Sequence, residues 1–181
     1  MKPIWSTPLT WLVVVLLAIL LALATPRGVG TLGHLPPTVG KSLADKVVPA
    51  DDSYRPIVAL VSFQKHHREQ VDGWVAGLAL RQNKEIPWVR MPVINDPGDE
   101  TQRMAIQQRI HARYQVDQEL ARLMPVFTDR SAFMQATGVL TTEHAVVMVL
   151  NRNGEVLARV VGTYDEDKAR TVRDALGLQD L

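Results

Sequence analysis

The chain has 181 residues, of which 46% are hydrophobic and 22% charged, with 20 Lys and Arg against 19 Asp and Glu and no cysteine. That length holds one domain plus a leader, and the near-zero net charge excludes the basic footprint of a nucleic-acid binder. The absence of cysteine excludes a thiolate nucleophile, a disulfide and a dithiol relay, while a domain of this size can bury a core without such staples.

Trp11 to Ala24 read WLVVVLLAILLALA, an unbroken apolar run. Lys2, the only charged side chain before Arg27, gives it a positive flank, and Ala22-Leu23-Ala24 supplies a small-x-small cleavage pattern. The run is shorter than the ~20 residues that cross a bilayer comfortably. Residues 1–24 therefore read as a signal peptide, with two alternatives. One is an uncleaved membrane anchor, if the segment is extended back to Pro8 and Leu9; the other is a buried core helix. Trp5 and Trp11 suit a membrane interface. The first two readings place the domain outside the cytoplasmic membrane of a bacterial source, periplasmic or anchored, or in an organelle membrane. Membrane contact through residues 9–24 is expected only without cleavage.

Residues 25–56 carry Pro26, Pro36, Pro37, Pro49 and Pro56 together with Gly28, Gly30, Gly33 and Gly40, the composition of an extended linker. Gly40-Lys41-Ser42 matches the end of a phosphate-binding loop. Leu35 stands where that motif needs glycine, and Pro36 and Pro37 remove backbone donors, so no nucleotide site is expected.

From residue 57 to 181 the pattern is that of one α/β domain. Ile57 to Phe63 is a β-branched apolar run, a central strand covered on both faces. A helix follows from about His67 to Arg81, with Val71, Trp74, Val75 and Leu78 on one face. Gly73 and Gly77 on that helix suggest close approach to a sheet. Trp88 to Ile94 is the second strand, in which Pro92 limits pairing. Asn95 to Gly98 is a turn, and a helix starts near Glu100 with Ile106, Ile110 and Tyr114 on one stripe. Asp96, Asp99 and Glu100 lack the spacing of a calcium loop and read as charge at a helix N-terminus. Met124 to Phe127 is a short extended piece, and Asp129 caps a short helix ended by Gly138. Ala145 to Leu150 and Glu155 to Val161 are strands joined by Asn151-Arg152-Asn153-Gly154, a hairpin signal. Thr163 and Glu166 have capping-box spacing before a last helix, which carries Ala169, Val172 and Leu176 and stops at Gly177. The expected architecture is a mixed four-stranded sheet with helices on both faces: two parallel strands joined through a right-handed crossover, then an antiparallel hairpin.

The stretch VALVSFQKHHREQVDGW (Val58 to Trp74) and the ending VFTDRSAFMQATGVL with VVMVLNRNGEVLARVVGTYDEDKARTVRDAL (Val126 to Leu176) resemble the thioredoxin superfamily. The resemblance covers about residues 50–178. More narrowly, it resembles the thioredoxin-like assembly factors of mitochondrial ATP synthase and small exported, cysteine-free thioredoxin-like proteins of bacteria. It implies that Lys65-His66-His67-Arg68-Glu69-Gln70 occupies the loop where active members carry their cysteine pair. It also implies that Glu143-His144 stands where they keep a cis-proline. Neither feature is present, so disulfide exchange and peroxidase activity do not carry over.

What remains is a binding face of Lys65 to Gln70 with Glu143 and His144, on a fold whose relatives bind extended peptides across that edge. The expected function is a non-catalytic binding or assembly module of the cell envelope, whose partner is another envelope protein or complex, with no cofactor and no nucleic acid. The alternative is a metal-binding or metal-handling protein. There His66, His67 and His144, with Glu69 or Glu143, would hold Zn²⁺ or Cu²⁺, against a reading of the same residues as solvated polar loop. Acid–base catalysis would need a histidine tuned by a carboxylate, and no serine sits in a nucleophile elbow. Trp74 and Trp88 read as core.

Overall fold

Ile57–Ser62 forms β1, and every residue but Ser62 is buried. Its alternate side chains feed two separate cores, because helices cover the sheet on both sides. In this computed structural model the described residues are 32–47, 55–114 and 120–178. The leader, with Trp5 and Trp11, lies outside them.

The order of elements is α1 (Pro37–Val47), β1, a 3-10 turn (Lys65–His67), α2 (Arg68–Gly77), β2 (Trp88–Asn95), α3 (Glu100–His111), β3 (Val126–Thr128), α4 (Arg130–Thr137), β4 (Val146–Leu150), β5 (Val156–Val161) and α5 (Glu166–Leu176). One sheet has the order β3-β2-β1-β4-β5. β1 pairs parallel with β2 (Val58 with Trp88) and antiparallel with β4 (Val58 with Val149). β3 extends the sheet parallel to β2, and β5 returns antiparallel beside β4. The sheet thus has five strands rather than the expected four. The fifth is the short extended piece, whose three residues between Pro125 and the capping Asp129 are too few to show alternation. Pro92 lies opposite Ser62 at the end of β1, one residue before pairing with β3 begins at Val93.

Val58, Leu60, Trp88, Val147 and Val149 face α2 and α5, packing on Val71, Trp74, Val75, Ala169 and Val172. The opposite face, with Ala59, Val61, Met91 and Met148, packs on Phe133 of α4 and on Leu35, Val39 and Leu43. Those last three correct the linker expectation: residues 32–47 belong to the domain. Pro36 precedes α1 and Pro37 opens it, where a missing N–H costs no intrahelical bond. Leu35, Val39 and Leu43 then fall four apart on one stripe, and His34 bridges to Glu155 beside β5. Gly40, Lys41 and Ser42 lie within α1, not in a phosphate loop.

The caps are mostly where the side chains place them. Asp129 Oδ1 accepts the Ala132 amide at 2.9 Å, and Gly138 closes α4 at φ 69°. At α5 the cap is Asp165, which accepts the Asp167 and Lys168 amides, rather than the Thr163–Glu166 box. Glu166 is engaged elsewhere, by Tyr164 Oη at 2.6 Å and Arg173 at 2.6 Å. Gly77 does mark a close approach, but to the Tyr164 ring, while Gly73 has nothing near. This strand order, with a parallel β1-α2-β2 unit and an antiparallel β4-β5 hairpin, is that of a thioredoxin-like fold.

Candidate functional site

β1 ends at Ser62, and the chain turns through Phe63 and Gln64 into the 3-10 turn that opens α2. His67, at 0% exposure, is core rather than solvated loop. Its Nδ1 accepts the Phe63 amide at 3.3 Å, which assigns the ring proton to Nε2. Nε2 is buried without a hydrogen-bond partner among the described residues. Burial lowers the pKa of His67; the nearby His66 and His144 act in the same direction, and the Glu143 backbone facing the ring opposes them. His66 is exposed, its ring crossing that of His67 at 4.7 Å and 85°.

Two glutamines join this turn to the segment before β4. Gln64 Nε2 donates to the Thr142 carbonyl at 3.0 Å. Gln70 Oε1 accepts the Ala145 amide at 2.7 Å, which leaves its Nε2 to donate to His144 Nδ1 at 3.3 Å. The turn and residues 142–145 therefore meet as one surface. Lys65, His66, Arg68, Glu69, Glu143 and His144 are exposed on it, and Gln70 is half-buried beneath. Leu140, three residues before Glu143, is 92% exposed.

The histidines do not form a metal centre. Among the described residues no group of three His, Cys, Asp or Glu side chains is placed to hold an ion. His67 spends Nδ1 on an amide and keeps a buried protonated Nε2, so the set of His66, His67 and His144 lacks a usable member. The acidic turn is structural as well. Asp99 Oδ1 caps α3 through the Gln102 amide at 2.8 Å. Asp96 pairs with Arg103 at 2.7 Å, which holds its carboxyl below the usual range.

A second feature escaped the sequence reading. Arg90, inside β2, is 3% exposed and reaches Asp72 of α2 at 2.8 Å. Its guanidinium lies 5.8 Å from the Trp88 ring and 5.6 Å from that of Tyr114, and Arg68 lies 5.5 Å from the same Tyr114 ring. The signal was a charge interrupting the apolar run Trp88-Val89-Arg90-Met91, since a buried cation requires a partner. Beside Arg90 a cleft of about 410 Å³ opens between the C-terminal ends of β1 and β2, the start of α2, and α3.

No protein-family profile and no curated protein matches the chain. Among solved structures, it is similar to a candidate electron transport protein from Aquifex aeolicus VF5 (13% identity, 81% of this chain and 96% of that one, TM-score 0.49). A candidate electron transfer protein from the same organism is similar at 15% identity (75% and 81% covered, TM-score 0.46). BsSco, a member of the Sco family of cytochrome c oxidase assembly proteins, is similar at 12% identity (69% and 82% covered, TM-score 0.42). The thioredoxin-like assignment rests on this chain's own strand order and pairing.

Proposed function

We propose that this chain is a non-catalytic thioredoxin-like binding or assembly module of the cell envelope, acting through the face made by Lys65 to Gln70 with Glu143 and His144. One observation carries the reading. Where this fold ordinarily places thiol chemistry, the chain has no sulfur nucleophile, and two glutamines tie that turn to the segment before β4. A site kept rigid but stripped of its reactive atoms suits recognition rather than turnover. With the Thr142 carbonyl and Ala145 amide already engaged, contacts come from the exposed side chains rather than from backbone pairing along that segment. The envelope location is supported by the apolar leader and its small-x-small end.

The test is photo-crosslinking in the native cell, with the full chain carrying the crosslinker at Lys65 or His144, and at Asn153 as control. Asn153 lies in the turn at the far end of β4. One reproducible partner from the first two positions, its capture from His144 lost on combined Lys65→Ala and Glu69→Ala substitution, is the expected result. The same proteins captured from Asn153, or none from Lys65 and His144, would overturn the reading.

A further inference from the structure

α3 is a polar helix with a short apolar stripe and no finished interface. It buries none of its residues completely. Ile106 and Ile110, half-buried, are its stripe toward the domain, and together with Leu60, Val71 and Val93 they wall the cleft of about 410 Å³. A helix stripe of this kind ordinarily closes against the core. Here it stands off the sheet and leaves a space within the size range of small-molecule sites.

The charge around that space is one-sided. Six lining residues are basic, namely Lys65, Arg68, Arg90, Arg109, Arg113 and Arg130, and no lining residue is acidic. The chain as a whole is nearly balanced, at 20 basic and 19 acidic residues, so this is local concentration, not general excess. Arg90 is held by Asp72, and Arg68 touches the same carboxylate at 3.6 Å. Among the described residues, no carboxylate pairs with Lys65, Arg109, Arg113 or Arg130. The Nε of Arg130 is buried with no acceptor, and a buried donor left unanswered is costly. Clustered like charges repel, and an anion among them removes both penalties at once. Guanidinium groups match carboxylate and phosphate oxygens in geometry.

We infer that this cleft binds an amphipathic anion, an aliphatic chain ending in a carboxylate or phosphate group. The chain would lie between α3 and the sheet, and the head group would meet Arg109, Arg113 and Arg130 at the rim. The site is separate from the proposed partner face in its test, because Arg109, Arg130 and Ile106 take no part in that face.

The experiment uses full-length protein labelled at the isoleucine methyls. It is titrated with decanoate, decyl phosphate, decanol and inorganic phosphate. Saturable, one-site shifts confined to Ile94, Ile106 and Ile110 are expected with decanoate or decyl phosphate, and the tighter of the two identifies the head group. Arg109→Gln and Arg130→Gln should each weaken binding about ten-fold, and Ile106→Trp should abolish it by filling the cleft. Since α3 buries no side chain completely, an unchanged thermal midpoint is expected for Arg109→Gln and Ile106→Trp. Three results would overturn the inference: no saturable shift with either anion, binding indifferent to both arginine substitutions, or decanol or inorganic phosphate binding as tightly as the amphipathic anions.

Discussion

Gln70 Oε1 accepts the amide of Ala145 at 2.7 Å across 75 residues of chain. It couples the first turn of α2 to the residue before β4, the two segments whose meeting defines the candidate face. Gln70→Ala leaves a part-buried amide without its partner, a loss of about 1–2 kcal/mol. The drop should appear in urea unfolding, and hydrogen exchange should accelerate at Ala145 more than at Val147. Exchange at Ala145 unchanged by the substitution would contradict this coupling.

The two glycines of α2 predict opposite outcomes. A Cβ on Gly73 meets nothing within 4 Å, so Gly73→Ala should stabilise by about 0.5–1 kcal/mol through helix propensity alone. A Cβ on Gly77 would sit 2.3 Å from the Tyr164 ring, which is itself packed edge-on against Trp74 at 5.2 Å. Gly77→Ala must displace that ring and should cost about 1–3 kcal/mol. Thermal midpoints of the two variants moving in the same direction would refute the assignment.

Much of the fold was legible because apolar periodicity and caps act locally. Asp129, Gly138, Asn151 to Gly154 and Gly177 each mark a boundary through groups within four residues. What escaped depends on partners distant in sequence. β3 is recognisable only once β2 offers it an edge. Two of the prolines that made residues 25–56 look extended, Pro36 and Pro37, lie at the start of α1, and only the sheet beneath shows that Leu35, Val39 and Leu43 are core. At the site, the placement of Lys65 to Gln70 beside Glu143 and His144 followed from the resemblance, yet the part played by Gln64 and the fate of each histidine did not. Burial separates His67 from His66, and adjacency in sequence carries no trace of it. The arginine-lined cleft draws on four separate segments, so no local pattern announces it.

α1 being part of the core has a direct consequence. Leu35 is 1% exposed among the side chains that cover one face of the sheet. Leu35→Ala should therefore destabilise by roughly 2–5 kcal/mol, the transfer and cavity terms together. An exposed position in the same segment, Lys41→Ala within α1, should change stability by less than about 0.5 kcal/mol. Equal, negligible effects at both positions would return residues 32–47 to the role of a tether.

His67 makes stability depend on pH in a defined direction. Burial lowers its pKa in the folded chain below the unfolded value of about 6.5, so the unfolded chain binds the proton more readily. The stabilisation is complete above pH ~6.5 and is lost as pH falls through the folded value. Asp96 and Glu166, whose pKa values are lowered by Arg103 and Arg173, act in a more acidic window, below their ordinary carboxylate range. Between pH ~5 and 7 the slope of unfolding free energy should thus be positive with pH and should flatten in His67→Leu. That variant also orphans the Phe63 amide, so it is less stable at pH 8, and the slope rather than the absolute value is the readout. An unaltered slope in His67→Leu, measured by urea unfolding across this range, would place the titrating group elsewhere.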